Sequence, residues 1–127
     1  MNELTIKEET FALVEVMKSK FTAFVFPCDD VEKFKTRLEG VRKANPKARH
    51  VVYAYRIGVN SKSTDDKEPK GTAGRPLLEL LTKKNLNNTA IIVVRYYGGT
   101  QLGAGRLLRT YVSSAVAAID KAELIDL

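Results

Sequence analysis

The chain has 127 residues and a mass of 14.1 kDa, which is long enough for one hydrophobic core and too short for two. Its hydrophobic fraction of 44% is ordinary, and no apolar run approaches the roughly 20 residues that a membrane helix needs. The net charge of +6 favours a negatively charged partner, with nucleic acid as the first candidate. The polar N-terminus lacks a secretory signal, and a single cysteine cannot form an intrachain disulfide, so we expect a cytoplasmic protein.

The first predicted elements are two strands joined as a β-hairpin. β-favouring residues fill positions 11–16 and 21–26 on either side of a polar turn at 18–20. Pro27 ends the second strand because it cannot donate a backbone hydrogen bond.

A helix is predicted next. Asp29 followed by Glu32 is typical of a capped helix start, and Asn45 with Pro46 predicts its end. Apolar residues recur at helical spacing between these points, at Val31, Phe34, Leu38 and Val41. We expect this helix to cover one face of the sheet.

A third strand is predicted over residues 51–57, ending at Gly58. The segment 60–70 that follows has no apolar side chain to hold it in a core. It is therefore expected to be a mobile surface loop.

The last third of the chain alternates helix, strand and helix. Pro76 suits the first position of a second helix, and the apolar run 90–94 is typical of a central strand buried on both faces. Arg95 lies at the end of that strand, and a third helix begins near residues 103–105. The order β-β-α-β-α-β-α predicts a single α+β domain over residues 1–127, built as a two-layer sandwich with its helices against one sheet.

Two glycine-rich turns, at residues 71–74 and 98–105, run into predicted helices. Such turns expose backbone N–H groups, and a helix N-terminus adds its positive dipole end, so together they predict one shared anion site. Arg106 and Arg109 support the site, because a cation in the first turns of a helix is unfavourable unless an anion binds there. The alternative is that both turns are plain connections. Neither matches a phosphate loop or a dinucleotide fingerprint, so no nucleotide cofactor is expected.

Carboxylates, one histidine and one cysteine are the remaining candidates for chemistry. Asp65, Asp66 and Glu68 could hold Mg²⁺ or act as a base, but the lysines between them favour a solvated loop. His50 and Cys28 are too few for a zinc site. We therefore assign no catalytic residue, metal or cofactor, and keep His50 as a candidate polar site.

Four tyrosines accompany arginines in two predicted strands. Alternation along a strand sends two of the rings into the core and leaves the others exposed. An exposed tyrosine beside arginine suits stacking on unpaired RNA bases, and it equally suits a protein interface. The tyrosines are Tyr53, Tyr55, Tyr96 and Tyr97, and the arginines are Arg56 and Arg95.

Taken together, these motifs resemble the IMPACT/YigZ family. The resemblance covers about residues 18–118 and rests on Tyr53-Ala54-Tyr55-Arg56, Asp65-Asp66-x-Glu68-Pro69-x-Gly71-Thr72-Ala73-Gly74, Arg95-Tyr96-Tyr97-Gly98-Gly99, and Leu102-Gly103-x-Gly105 with Arg109 and Tyr111. It implies a left-handed βαβ fold similar to a small-subunit ribosomal protein domain. It also implies a role in translational control under amino-acid starvation, which eukaryotic members exert by competing for the activator of a kinase. We expect the common domain of the family, without the eukaryotic N-terminal interaction domain or the bacterial C-terminal ferredoxin-like domain.

Departures from the family pattern add positive charge. Lys67 and Arg106 stand where glycine is usual, and Lys70 replaces a small residue. Only His50 remains of a series that often reads His-His-Cys-aromatic, which argues against a multi-histidine metal site. These changes favour a polyanionic partner.

Three functional hypotheses follow. The first is a non-enzymatic anion-binding module associated with RNA or the ribosome in regulation of translation or the stress response. The alternatives are a protein-interaction regulator of a translation-control kinase pathway and a metal-assisted enzyme acting on a phosphorylated substrate. The candidate binding residues are Tyr55, Arg56, Gly71, Thr72, Gly74, Arg75, Arg95, Tyr96, Gly98, Gly99, Gly103, Gly105, Arg106 and Arg109, with Asp65, Asp66 and Glu68 in a separate acidic role.

Overall fold

A computed structural model describes residues 2–127 of the chain. Its elements are β1 (Leu4–Ile6), β2 (Thr10–Val16), β3 (Ser19–Pro27), α1 (Val31–Ala44), β4 (His50–Ile57), β5 (Asn60–Thr64), α2 (Gly74–Lys83), β6 (Thr89–Tyr96), α3 (Ala104–Ile119) and β7 (Leu124–Asp126). Five strands form an antiparallel sheet in the order β2-β3-β6-β4-β5, and β1 pairs separately with β7. The α+β class is confirmed. None of the helices in this described part has the length and apolar character needed to cross a bilayer.

The predicted hairpin is formed by β2 and β3, but its turn is shorter than expected. Met17 and Lys18 both have positive φ, at 48° and 66°, as a two-residue hairpin turn requires. Ser19 therefore already pairs with Val16. The turn lies at residues 17–18, so the prediction of 18–20 placed it too late.

Strand β6 is the central strand, as its apolar run predicts. Antiparallel pairing joins it to β3 on one side and to β4 on the other. Its residues from Thr89 to Arg95 are all buried, so the strand contributes to the core on both faces.

The sheet is covered by helices on both faces, so the prediction of two layers is wrong. On one face α1 packs Phe34 against Tyr53 and Tyr55. On the other face α2 and α3 pack around Leu77 and Tyr111. A strand such as β6, which is apolar on both faces, needs cover on both, and a third layer supplies it.

The start of α1 is displaced by one residue from the prediction. Asp30, not Asp29, is the N-cap, and its carboxylate accepts a hydrogen bond from the backbone N–H of Glu32. Asp29 instead pairs with Lys33 at 3.2 Å on the surface. The end of the helix at Asn45 is as predicted.

The prediction of a mobile loop over residues 60–70 is also wrong. Residues 60–64 form β5, which pairs along β4 at the edge of the sheet. Beyond it, the Asp66 carboxylate accepts a hydrogen bond from the backbone N–H of Val51 at 2.6 Å, and Glu68 is buried. Backbone pairing and buried polar contacts hold this segment in place of apolar packing.

Candidate functional site

Glu68 lies at the centre of a buried polar cluster. Its side chain is 3% exposed and that of Arg95 is 5% exposed. Oε2 of Glu68 accepts hydrogen bonds from Arg95 Nη1 at 2.7 Å and from the Tyr111 hydroxyl at 2.5 Å. His50 Nε2 lies 3.3 Å from the other carboxylate oxygen, Oε1. Three secondary-structure elements therefore place their polar groups around one carboxylate: β4 through His50, β6 through Arg95 and α3 through Tyr111.

Tyr111 and His50 have defined roles in this cluster. Burial, and then the hydrogen bond to Glu68, raise the pKa of Tyr111 well above its ordinary value, so its hydroxyl stays a donor. His50 Nδ1 lies 2.6 Å from the backbone oxygen of Asp66. Because a carbonyl oxygen only accepts, Nδ1 must carry a proton. The Tyr111 hydroxyl therefore orients the Glu68 carboxylate, and the Asp66 carbonyl orients the His50 ring.

Arg95 is not fully paired in spite of its burial. Its Nη1 contacts Glu68 and its Nη2 lies 3.4 Å from the hydroxyl of Ser19. Its Nε is buried and has no hydrogen-bond partner among residues 2–127. A buried donor of this kind is costly to leave unsatisfied.

Arg95 and Glu68 also line a surface cavity of about 340 Å³. Its other lining residues are Arg49, His50, Lys67, Pro69, Tyr97, Gln101, Leu102, Gly103, Ala104 and Leu107. Three cationic side chains and one carboxylate surround the space, so its net charge is positive. At its edge the guanidinium of Arg49 lies 4.7 Å from the centre of the Tyr97 ring.

The second glycine turn brings the start of α3 to this cavity. Gly103 precedes the helix with φ 81°, and no side chain caps the first N–H groups. Gly98 packs closely against the hairpin turn, and only glycine fits there because a Cβ would lie 2.2 Å from the backbone of Lys18. Its N–H donates to the Ser19 hydroxyl at 3.1 Å. An uncapped helix start therefore opens onto the positively charged space.

In the first glycine turn, at residues 71–74, the backbone N–H groups are bound by a carboxylate of the chain itself. The Asp65 carboxylate accepts backbone N–H groups from Gly71 at 2.9 Å, Ala73 at 3.2 Å and Gly74 at 2.8 Å. Helix α2 consequently begins at Gly74, two residues before the predicted start at Pro76. The Asp65 carboxylate therefore lies at the start of α2, where the sequence predicted that an external anion would bind.

The two turns are only partly brought together. Glu68 from the first motif and Gly103 from the second line the same cavity, whereas residues 71–75 do not line it. Thr72 and Gly74 are buried, and a Cβ on Gly74 would lie 2.4 Å from the backbone oxygen of Thr64. Gly99 and Gly105 lie exposed in the second turn and the first turn of α3.

Other predicted binding residues lie away from the cavity. Tyr55 is buried beneath α1, and the Tyr96 hydroxyl donates to Asn45 at 2.7 Å. Arg56 donates to the Leu86 carbonyl oxygen and to Glu3, each at 2.8 Å. On the surface, Arg75 pairs with Glu79, Arg106 contacts the Met17 sulfur, and Arg109 lies on the outer side of α3.

Sequence reasoning missed Arg49, Gln101 and the polar role of Tyr111. Tyr111 falls on the apolar stripe of α3, so its pattern indicated a core ring and concealed its hydroxyl contact. Arg49 lies next to His50 in a short connection without a motif of its own. Within residues 2–127 no three His, Cys, Asp or Glu side chains are grouped to hold a metal ion.

Comparison with known sequences identifies the family. The family model described as the Impact N-terminal domain matches residues 17–119. The chain belongs to the IMPACT family. It is 38% identical over 113 residues to the IMPACT family member YvyE of Bacillus subtilis, covering 87% of this chain and 52% of that protein. It is 40% identical over 102 residues to YigZ of Escherichia coli, covering 76% and 50%. The chain thus spans about half the length of these curated relatives.

A solved structure supports the IMPACT-family assignment at the level of the fold. It is described as the crystal structure of a hypothetical protein and superposes with a TM-score of 0.92 at 33% identity. The match covers 98% of this chain and 64% of the other. The arrangement of helices and strands described above is therefore that of a known IMPACT-like fold.

Proposed function

We propose that this IMPACT domain is a non-enzymatic anion-binding module that associates with RNA or the ribosome and acts in the regulation of translation. The observation that carries the proposal is the cavity at the start of α3. It combines an uncapped helix N-terminus with Arg49, Lys67 and the incompletely paired Arg95. Helix N-termini and arginine are the groups that proteins use most readily to bind phosphate.

The charge of Glu68 does not argue against anion binding. Its carboxylate accepts from Arg95 and Tyr111 and lies beside His50, so its charge is largely compensated inside the cluster. Arg49 and Lys67 are exposed and free to approach a ligand from the cavity edge. The site is thus positive where a phosphate would enter.

The link to translation rests on the family. The resemblance noted from the sequence associates IMPACT members with translational control, and the chain is a member. Association with RNA or the ribosome would place a basic domain where that control operates.

A protein partner is the second candidate, favoured by the edge strand β2. Phe11 and Leu13 on this strand are 59% and 60% exposed. The Lys121 ammonium donates to the Phe11 carbonyl oxygen at 2.9 Å, but no strand of the described residues pairs with the outer side of β2. An edge with exposed apolar side chains suits the addition of a strand from another protein. The enzyme hypothesis is weaker, because Asp65 and Asp66 are both engaged with backbone N–H groups.

RNA-binding isotherms at several salt concentrations test the main proposal. For Arg49→Ala and Lys67→Ala we expect weaker binding, and for Lys67→Ala also a salt slope that is lower by about 0.7, as for one lost single-strand phosphate contact. Lys83→Ala removes an exposed cation from the last turn of α2, outside the cavity, and serves as the matched control. Equal affinities for all three variants, with intact folding, would refute the cavity as the binding site.

A further inference from the structure

We infer that the cavity recognises one nucleotide through a terminal phosphate monoester, in preference to the internal phosphodiesters of a nucleic-acid strand. This inference rests on the proposed anion-binding function and specifies its ligand. The phosphate would lie at the start of α3 beside Arg95, and the base would stack at Arg49.

The size and shape of the cavity favour a single unit. A volume of about 340 Å³ is at the lower end of small-ligand sites, which start near 300 Å³. Buried Glu68 and Arg95 close its inner side. A space of this size accommodates one nucleotide and leaves little room for a second.

The charge favours a dianion. Arg49, Lys67 and Arg95 oppose the single carboxylate of Glu68, so these four side chains together carry two net positive charges. A phosphate monoester carries about −1.5 to −2 near pH 7, whereas a diester carries one negative charge. The monoester therefore balances the lining more completely.

The donors suit phosphate oxygens in particular. Arg95 lines the cavity with a side chain that is 5% exposed, and its buried Nε has no hydrogen-bond partner in the part of the chain that the structure describes. The first N–H groups of α3 add uncapped backbone donors at the same place. An incoming phosphate would accept hydrogen bonds from the N–H groups of α3 and would lie against the positive charge of Arg95.

A stacking surface lies at the cavity edge. Arg49 is exposed, and its guanidinium is held over the Tyr97 ring at 4.7 Å. The ring orders the arginine, whose outward face is then available to a base. Stacking of this kind tolerates any base, so we expect the cavity to bind a nucleotide without a base preference.

The test compares binding of AMP with adenosine. It also compares one oligoribonucleotide carrying a 5′-phosphate, a 3′-phosphate or no terminal phosphate. We expect the terminal phosphate to tighten binding about tenfold or more, since it gains charge-assisted hydrogen bonds. Tight AMP binding would identify free nucleotide as one source, and preference confined to a phosphorylated oligoribonucleotide would identify an RNA end.

Ala104→Glu is the decisive variant. Ala104 is exposed, lines the cavity and begins α3, so a glutamate there places a negative charge in the proposed phosphate position. A carboxylate in the first turn of a helix stabilises it, so folding should be preserved or improved. We expect the phosphate-dependent gain to disappear in Ala104→Glu and to persist in the neutral control Ala104→Gln.

Two further results distinguish the proposed RNA association from the recognition of a terminal phosphate. RNA binding that does not depend on a terminal phosphate, or that survives Ala104→Glu, overturns this inference and leaves RNA association standing. Failure of every RNA and nucleotide to bind at low salt overturns both.

Discussion

Two arginines that look alike in sequence occupy opposite environments. The Arg95 side chain is 5% exposed and is paired with buried Glu68, whereas Arg109 is exposed on α3. Sequence position suggested that both would face a ligand, with the alternative that Arg95 closes the end of a buried strand by pairing with Asp65 or Glu68. Burial could not be read from the sequence, because Arg95 follows an apolar run in which either outcome is common at a strand end.

We expect Arg95→Ala to lower the free energy of unfolding by about 3 kcal/mol or more, because Glu68 would remain buried without its charged partner. Arg109→Ala should change it by about 0.5 kcal/mol or less. Urea unfolding measures both. The double variant Arg95→Ala with Glu68→Ala should recover part of the lost stability. An Arg95→Ala variant whose free energy of unfolding equals that of the parent would contradict the role given to the buried ion pair.

Tyr111 predicts how stability changes at alkaline pH. Burial and the bond to Glu68 raise the pKa of Tyr111 in the folded protein above its ordinary value of 10.0. Above about pH 10 the unfolded chain therefore loses this proton while the folded chain keeps it, so stability falls as pH rises. The contribution is fully present below that pH.

We expect Tyr111→Phe to have a shallower loss of stability between about pH 10 and 11.5, by up to about 1.4 kcal/mol per pH unit. At pH 7 the same variant should be less stable by about 1–3 kcal/mol, since Glu68 loses a donor. Tyr97→Phe, on an exposed ring, is the control and should follow the parent protein. Parallel pH profiles for all three would contradict the role given to Tyr111.

Among the secondary-structure elements, α2 depends on a residue outside itself. Ala73, the N-cap of α2, provides no side-chain hydrogen bond, and Asp65 supplies the acceptor from the preceding segment. The glycine turn did predict a helix start that attracts negative charge. The identity of the anion could not be predicted, because the carboxylate belongs to a segment whose composition resembled a loop.

We expect Asp65→Ala to lower the free energy of unfolding by about 1–2 kcal/mol, as for loss of an N-cap. The vacated turn should then bind a small anion, so sulfate should stabilise the variant more than it stabilises the parent, compared with chloride at equal ionic strength. Thermal melts in both salts measure this difference. Asp29→Ala on the surface is the control, and equal behaviour of the two variants would contradict the capping role.

At the scale of the whole molecule, the sequence predicted most elements but not their layering. Apolar periodicity identified α1, α3 and β6, because these elements bury side chains in a regular pattern. Strand β5 was missed since its stability comes from pairing with β4 and not from apolar residues. The second helical layer was missed because helical spacing does not reveal which face of a sheet a helix covers.

The candidate site was predictable only in part for the same reason. Glycine turns and arginines marked the region of α3, but the cluster joins residues far apart in the chain. Glu68 is separated from Arg95 by 27 residues and from Tyr111 by 43. Contacts at such separations are set by the three-dimensional packing, which no local pattern encodes.

The central position of β6 has a consequence for biosynthesis. Its neighbours β3 and β4 both precede it in the chain, so each of them lacks its inner partner until β6 has been synthesised. The sheet cannot be completed until residues 89–96 have left the ribosome. Glu68 meets Arg95 only then, and it meets Tyr111 only after α3 has also emerged. The carboxylate therefore stays hydrated during most of synthesis and is desolvated together with its partners in the last stage of folding.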